Sequence, residues 1–188
     1  MRILIKKITN KQESKEAIIR RNLNRIEEVE FNKKNINNLK ECLDKTNYSY
    51  YNIRDKSSAM GKFLYKLTKE QVIEYSKNYE AFSVFESLCL ADKYMVLQGE
   101  IFINDNFELM ATLDDRKNIP NREAVKHPKY NLSLDLKEKR EPFIRGLTEI
   151  IDYITKHELF NCYVEFSIFD IPVGIHKENI IIWELRNY

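Results

Sequence analysis

The amino-acid sequence predicts an α+β fold with a mainly antiparallel sheet packed with helices. Two apolar runs, residues 94–103 and 107–113, are separated by Asn104-Asp105-Asn106 and therefore predict a β-hairpin. Two further apolar runs, around residues 164–169 and 180–187, predict a second antiparallel strand pair near the end of the sequence. Segments with helical spacing of apolar residues precede and separate these pairs, so we expect helices beside the sheet.

Residues 1–46 are expected to form a strand plus helical N-terminal unit. Residues 2–8 predict a short strand, and the capping box Thr9-x-x-Gln12 predicts the start of a charged helix. The apolar face of this helix is expected to consist of Ile19, Leu23 and Ile26. A second helix is expected around residues 36–43. The remaining side chains are mostly charged or amide groups, which is typical of a solvated surface.

Residues 47–188 are expected to form a second domain. Its first strands are predicted at residues 48–55, 62–67 and 82–88. A turn is expected at residues 57–61, and the capping box Thr68-x-x-Gln71 predicts a helix after the second of these strands. The hairpin follows.

The segment between the hairpin and the last strand pair combines a loop and a helix. Residues 114–131 are polar and broken by Pro120 and Pro128, so we expect irregular structure there. Pro142 suits the first turn of a helix. The apolar face of that helix is expected to consist of Phe143, Leu147, Ile150, Ile151 and Ile154.

Composition limits the classes of partner and compartment. The chain has 188 residues, of which 43% are hydrophobic and 32% charged, as in ordinary globular proteins. The 31 basic and 29 acidic residues nearly cancel to a net charge of +2, which gives no general reason to expect nucleic-acid or membrane partners. Cys42, Cys89 and Cys162 are odd in number and widely spaced, which favours reduced thiols in the cytoplasm. No apolar run approaches the ~20 residues of a membrane span, and no signal peptide is expected.

The last two strands each carry one carboxylate among apolar residues. Glu165 and Glu184 lie in runs with high β-propensity, where a buried charge is costly unless it is compensated. Antiparallel pairing could bring them together, and two adjacent carboxylates are a natural site for Mg²⁺. The alternative is that one or both simply face solvent on the polar side of a half-buried sheet.

A second candidate site follows the strand at residues 48–55. Arg54 and Lys56 precede a loop that contains Ser57, Ser58 and Gly61. Small residues let backbone N–H groups approach an anion, and the two cations add positive charge, so this segment predicts phosphate binding. A surface turn with solvated charges is the alternative interpretation.

The order of these parts over residues 48–187 resembles the ATP-grasp family. A strand ending in the basic residue Arg54 leads into a small-residue loop, a second strand and a helix. Glu86 then resembles the acid of the strand near the adenine pocket, and the hairpin leads to Arg116, which resembles an arginine that reaches the nucleotide phosphates. Glu165 and Glu184 fall on the two metal-ligand acids of the family pattern.

The resemblance implies an ATP-grasp-like fold and an ATP- and Mg²⁺-dependent ligase that activates a carboxylate as an acylphosphate. It implies a nucleotide and an unidentified small-molecule or peptide acceptor as partners. Catalytic roles would fall to Arg54, Arg116 and Arg186, and Mg²⁺ would bind to Glu165 and Glu184. The nucleotide would contact Arg54, Lys56, Ser57, Ser58, Gly61 and Glu86.

The sequence departs from the family pattern at Arg186. Where the family usually has asparagine two residues after the final glutamate, this chain has Arg186, with Asn187 beside it. Because an arginine repels Mg²⁺, either the metal site is altered, or Arg186 contacts phosphate or pairs with Glu165. The loop is also poor in glycine, and the basic residue of the first strand is Arg54 rather than lysine.

Two alternatives compete with the ligase interpretation. A metal-dependent nuclease of the restriction-endonuclease type would use Asp170 with Glu184-Leu185-Arg186, although arginine replaces the lysine of that motif. A small non-catalytic binding or inhibitory protein would use Arg54, Glu165, Glu184 and Arg186 as a structural ion-pair network.

Overall fold

The structure is a computed structural model, described here for residues 8–57, 62–117, 126–138 and 143–187. Within these ranges it contains four α-helices and nine β-strands. In chain order the elements are α1 (Lys11–Arg20), β1 (Glu28–Asn32), α2 (Leu39–Thr46), β2 (Tyr51–Asp55), β3 (Phe63–Leu67), α3 (Lys69–Ser76), β4 (Ala81–Glu86), β5 (Met95–Ile103), β6 (Glu108–Asp114), β7 (Tyr130–Asp135), α4 (Leu147–Lys156), β8 (Tyr163–Val173) and β9 (Glu178–Arg186). The predicted α+β class is confirmed.

The chain forms two compact units. One, the discontinuous unit, comprises Met1–Arg25 and Ala91–Tyr188, and the other, the inserted unit, comprises Ile26–Leu90. The units meet between residues 25 and 26 and between residues 90 and 91, whereas the boundary was expected between residues 46 and 47. The physical reason is that β1 pairs with β4 along its whole length, which ties the segment before residue 46 to strands that follow it.

The inserted unit is built on a four-stranded antiparallel sheet in the order β1-β4-β2-β3. Helices α2 and α3 contribute Leu39, Leu43 and Val72 to its core. The buried strand residues of this core are Phe31, Tyr51, Ile53, Leu67, Phe82 and Val84. Because side chains alternate along a strand, the other face of the sheet carries residues such as Arg54 and Phe63.

The discontinuous unit contains a five-stranded antiparallel sheet in the order β7-β6-β5-β8-β9. Helices α1 and α4 pack on one face, where Ala17 and Ile18 meet a core that includes Leu147, Ile150 and Ile154. The strand residues of this core include Leu97, Ile101, Leu113, Val164, Phe166, Ile182 and Leu185. The opposite face of the same strands presents the polar residues that form the candidate site.

Several predicted elements are confirmed. Strands β5 and β6 pair antiparallel as the predicted hairpin, and β8 pairs antiparallel with β9. Thr68 caps α3, because its side chain accepts from the Gln71 N–H while the Gln71 side chain accepts from the Thr68 N–H. The second predicted helix is α2. The predicted strand at residues 2–8 lies outside the described residues except for Ile8, as do Pro120 and Pro142.

The first predicted helix differs from the structure at both ends. Its N-cap is Asn10, whose side chain accepts from the Glu13 N–H, whereas Thr9 contacts the Glu13 carboxylate. The helix ends at Arg20, and Asn22 then adopts the left-handed region with φ 53°. Leu23 therefore lies beyond the helix, although it is fully buried.

Two strands and one helix start were predicted wrongly. Strand β7 begins inside the segment expected to be irregular, and β1 was not expected at all. Helix α4 begins at Leu147, after Gly146 adopts φ 87°, so Phe143 precedes the helix and is exposed. The left-handed backbone at Gly146 is incompatible with a helix that continues from Pro142.

Among the described residues, no helix combines the length and the hydrophobicity needed to cross a bilayer.

Candidate functional site

The residues predicted for the site divide between the two units. Arg116, Glu165, Glu184 and Arg186 belong to the discontinuous unit. Arg54, Lys56, Ser57 and Glu86 belong to the inserted unit. Ser58 and Gly61 lie outside the described residues.

Three glutamates lie side by side on the polar face of the five-stranded sheet. Glu100 of β5 is directly opposite Glu165 of β8, which in turn is directly opposite Glu184 of β9. Directly opposed side chains begin about 5 Å apart. We call these residues the acid row. The structure thus brings Glu165 and Glu184 together, and it adds Glu100.

A β-bulge gives Glu184 its direction. Glu165 is opposite Glu184 but the next residue, Phe166, is opposite Ile182, so Trp183 is an extra residue on β9. Ile182 and Leu185 are three positions apart and both are buried in the core, which strict alternation would not allow. The bulge resolves this conflict, and the Trp183 indole N–H donates to Ser167 Oγ at 2.8 Å.

Arg186 is held by two members of the acid row. Its guanidinium pairs with the Glu100 carboxylate, and its Nε lies 3.7 Å from Glu184 Oε1. The side chains of Arg186, Glu100 and Glu184 are 35%, 17% and 23% exposed, so both ion pairs are largely shielded from water. Arg186 is opposite Tyr163 in register, so its side chain crosses β8 to reach Glu100 on β5.

Glu100 was missed at the sequence level, although a usable signal was present. It is a single carboxylate in the apolar strand β5, the same feature that identified Glu165 and Glu184. Its neighbour Gly99 lets the strands approach closely, because a Cβ there would lie 2.1 Å from the Thr112 carbonyl oxygen.

The donor chemistry of Glu165 and Glu184 fits one divalent cation of the Mg²⁺ type. Both provide carboxylate oxygens, from adjacent strands, and both are partly exposed. Within the described part of the chain, no group of three or more His, Cys, Asp or Glu side chains is arranged to hold a metal. A cation at these two glutamates would therefore take its remaining ligands from water or phosphate, as Mg²⁺ commonly does.

Arg116 is engaged by a buried carboxylate. Its guanidinium donates to both oxygens of Asp114, which is fully buried at the end of β6, and to the His127 carbonyl oxygen at 2.7 Å. Burial opposes ionisation of Asp114, but the hydrogen bonds and charge of Arg116 outweigh it and lower the pKa of this carboxyl. The predicted contact of Arg116 with phosphate stays a prediction.

In the inserted unit, Glu28 pairs with both predicted cations. Glu28 Oε1 lies 3.5 Å from Arg54 Nη1 and 3.6 Å from Lys56 Nζ, and Lys56 is also 3.7 Å from Glu30. The Ser83 hydroxyl also bonds the Glu28 carboxylate. Glu28 lies on β1, the strand that the sequence did not predict, so its role could not be anticipated.

Two aromatic rings flank Arg54. The Arg54 guanidinium carbon lies 5.3 Å from the Phe85 ring centroid and 6.0 Å from that of Phe63. These contacts restrict the side chain, because a guanidinium over a ring face is attracted by its quadrupole. After β2, the Ser57 N–H donates to Asp55 Oδ1 at 2.8 Å, which starts the loop with an Asx turn.

Glu86 ends β4 opposite Tyr51 and is partly buried. Burial and, next, the Glu86 carboxylate raise the pKa of the Tyr48 phenol, so the acid lies near Tyr48. Its role at an adenine pocket stays a prediction.

The nuclease motif is not assembled. Asp170 pairs with Arg145 at 2.5 Å, and it lies five residues from Glu165, the register partner of Glu184, which is roughly 16 Å along β8. One metal cannot bridge that distance.

The described geometry has counterparts among solved structures. D-alanine–D-alanine ligase from Helicobacter pylori superimposes with a TM-score of 0.50 and 15% sequence identity over 94% of this chain and 53% of its own. D-alanyl-alanine synthetase A from Vibrio cholerae has a TM-score of 0.49 and 14% sequence identity, over 95% of this chain and 54% of its own. The macrocyclase MdnC from Microcystis aeruginosa, bound with precursor peptide MdnA, has a TM-score of 0.48 and 12% sequence identity, over 94% of this chain and 51% of its own.

The sequence matches no protein-family model and no curated protein. The chain spans about half the length of the ligase from Helicobacter pylori, at 53%. At such low identity the likeness concerns the fold alone. On this likeness and its two antiparallel sheets with helices, the fold of the chain is ATP-grasp-like.

Proposed function

We propose that this chain is an ATP- and Mg²⁺-dependent ligase-like enzyme that activates a carboxylate as an acylphosphate. The observation that supports this proposal best is the pair Glu165 and Glu184, directly opposed on the polar face of a sheet in an ATP-grasp-like fold. The reaction has two steps. A substrate carboxylate oxygen attacks the γ-phosphorus and ADP leaves; an acceptor amine or thiol then attacks the acyl carbon and phosphate leaves, with the amine or thiol losing a proton.

Each residue has a distinct role in this proposal. Glu165 and Glu184 would hold Mg²⁺, which when bound neutralises the phosphate charge. Arg186 lies beside them and can donate to a phosphate oxygen, since a guanidinium is a strong bidentate donor. Arg54, Lys56 and Ser57 are proposed as further phosphate contacts in the inserted unit. The acceptor is proposed to be a small molecule or a peptide.

The ion pairs favour a second candidate function, a non-catalytic binding protein. Arg186 pairs with Glu100 and Glu184, and Arg116 pairs with Asp114. Arg54 pairs with Glu28. Such networks exist in proteins without any ligand, so internal pairing of the predicted catalytic cations is the expected feature of a structural role.

A thermal-shift experiment on the full chain separates these candidates. The midpoint is measured without ligand, with ATP, with ATP and Mg²⁺, and with DNA. The ligase proposal expects a rise of several degrees with ATP and Mg²⁺, because a ligand that binds only the folded state stabilises it. Glu184→Gln should remove the Mg²⁺-dependent part of the rise. The matched control Glu149→Gln, which changes an exposed acid on α4, should keep it.

Each result discriminates. If ATP causes no shift with or without Mg²⁺, the ligase proposal fails and the binding protein is favoured. A shift with DNA alone would also count against the ligase proposal. An unchanged Mg²⁺-dependent rise in Glu184→Gln would remove Glu184 from the metal site.

Arg54→Ala tests the inserted unit. We expect nucleotide affinity to fall about tenfold, the loss of one charge-assisted phosphate contact. The control Lys33→Ala removes an exposed cation that pairs with Glu80 at 2.5 Å and should bind nucleotide as the unchanged chain does. Equal affinity of both variants, measured by calorimetry, would exclude Arg54 from the nucleotide site.

A further inference from the structure

The acid row is paired with a positively charged side chain, Arg186. Glu100, Glu165 and Glu184 are neighbours in register, and carboxylates directly opposite one another repel. Arg186 pairs with the two outer members of the row, Glu100 and Glu184. The guanidinium of an arginine carries a positive charge.

The pairing with Glu100 makes the position of Arg186 specific. Of the two carboxylates that Arg186 contacts, Glu100 is the more shielded, because its side chain is 17% exposed and that of Glu184 is 23% exposed. A shielded ion pair is screened by water and salt less than a surface pair. The pair with Glu100 therefore holds the guanidinium across β8, beside the acid row.

We propose that Arg186 is a resident cation of the acid row and that it keeps the affinity of the row for divalent cations low in the absence of nucleotide. The proposal rests on the proposed function for its role in a reaction, because Glu165 and Glu184 are the metal ligands there. The guanidinium already neutralises charge at Glu184, so a divalent cation that enters must displace it or tolerate its repulsion. Glu100 acts as a positioning residue that keeps the guanidinium there.

The experiment measures binding of Mn²⁺ alone to the full chain, without nucleotide, from the electron paramagnetic resonance signal of free Mn²⁺. The unchanged chain is expected to bind weakly. Arg186→Gln removes the resident cation and leaves three adjacent carboxylates, so we expect Mn²⁺ affinity at least about tenfold higher. The matched control Arg145→Gln breaks the exposed Arg145–Asp170 pair of the same unit and should bind Mn²⁺ as the unchanged chain does.

Further variants locate the gained affinity. Arg186→Gln combined with Glu184→Gln should return the affinity to the original level, because the cation then loses a ligand. Arg186→Lys keeps the positive charge, so its Mn²⁺ affinity should stay as low as that of the unchanged chain. If Arg186→Gln does not fold, Glu100→Gln with Arg186→Gln removes both partners of the shielded pair, a change that proteins tolerate better than loss of one partner, and this variant should still bind Mn²⁺ more tightly than the original.

Two results would overturn the inference. One is an Arg186→Gln affinity within a factor of about two of the original, since that is too small for removal of a neighbouring charge. The other is retention of the gain when Glu184→Gln is added. The Mn²⁺ assay contains no nucleotide. Its result therefore does not depend on whether the chain binds ATP in the thermal-shift experiment.

Discussion

At the residue scale, Asn24 is a fully buried amide whose side chain makes several hydrogen bonds. Its amide nitrogen donates to the carbonyl oxygens of Val173 at 2.9 Å and Ile180 at 2.7 Å, and its Oδ1 accepts from the His176 N–H at 3.0 Å. The backbone carbonyl oxygen of Asn24 accepts from the Ile182 backbone N–H at 2.9 Å. Asn24 thus joins the chain after α1 to the turn between β8 and β9.

Asn24→Ala should lower the free energy of unfolding by about 2–4 kcal/mol, because several buried backbone groups lose their partners. Urea denaturation gives the measurement. Asn179→Ala removes an exposed amide of the same hairpin and should stay within about 0.5 kcal/mol of the unchanged chain. Equal stability of the two variants would contradict the inference that the hydrogen bonds of Asn24 stabilise the turn between β8 and β9.

Asp114 and Arg116 predict an acid-dependent contribution to stability. The pKa of Asp114 is lowered in the folded state, so the ionised form is favoured by folding. This contribution is present above the pKa of the unfolded chain, about 3.9, and is lost as the pH falls through the lower folded value.

Arg116→Ala should therefore destabilise the protein at pH 7, although only moderately, because the Arg116 side chain is 48% exposed. The difference from the unchanged chain should remain constant down to about pH 5 and shrink below about pH 4. Urea midpoints at a series of pH values test this. A difference that does not change with pH would mean that Arg116 acts through packing alone.

At the element scale, strand β5 is the centre of the five-stranded sheet and contains Gly99 at φ 149°. A Cβ on Gly99 would meet the Thr112 carbonyl oxygen of β6 at 2.1 Å, which is backbone and cannot move without disturbing the sheet. At Gly146, before α4, the nearest atoms belong to side chains of Ile168 and Leu97 at 3.2 Å.

Gly99→Ala should therefore destabilise more than Gly146→Ala. We expect about 3 kcal/mol or more for the first and about 1–2 kcal/mol for the second, where the strain of the left-handed backbone dominates. Urea denaturation of both variants gives the order. The reverse order would show that β6 accommodates a methyl group and that the close approach of the strands is not required.

Elements with strong local signals were predicted from the sequence. The turn Asn104-Asp105-Asn106 specified the hairpin, and Thr68 with Gln71 specified the start of α3. Strand β1 has alternating acids and only one fully buried residue, Phe31, so its hydrophobic pattern is too weak to predict pairing with β4. The bulge at Trp183 follows from packing of Ile182 and Leu185 and has no local signal.

At the scale of the whole molecule, the inserted unit has its own hydrophobic core and its own sheet. We predict that a fragment of residues 26–90 folds alone with a cooperative urea transition of about 2–4 kcal/mol, low because a domain of this size buries a modest share of its surface. Circular dichroism during denaturation measures it. Leu43→Ala within the fragment should abolish the transition, and a disordered spectrum of the unchanged fragment would refute the prediction.

The sequence by itself determined the α+β class, the two hairpins, and the presence of single carboxylates in apolar strands, because these depend on neighbours along the chain. Only the tertiary structure decided that Glu100 completes the row with Glu165 and Glu184, and that Arg186 and Arg54 are held by Glu100 and Glu28. Those partners are distant in sequence, and the register and order of strands that bring them together are set by packing of the cores. The cations that the sequence predicts as ligand contacts therefore form ion pairs within their own unit.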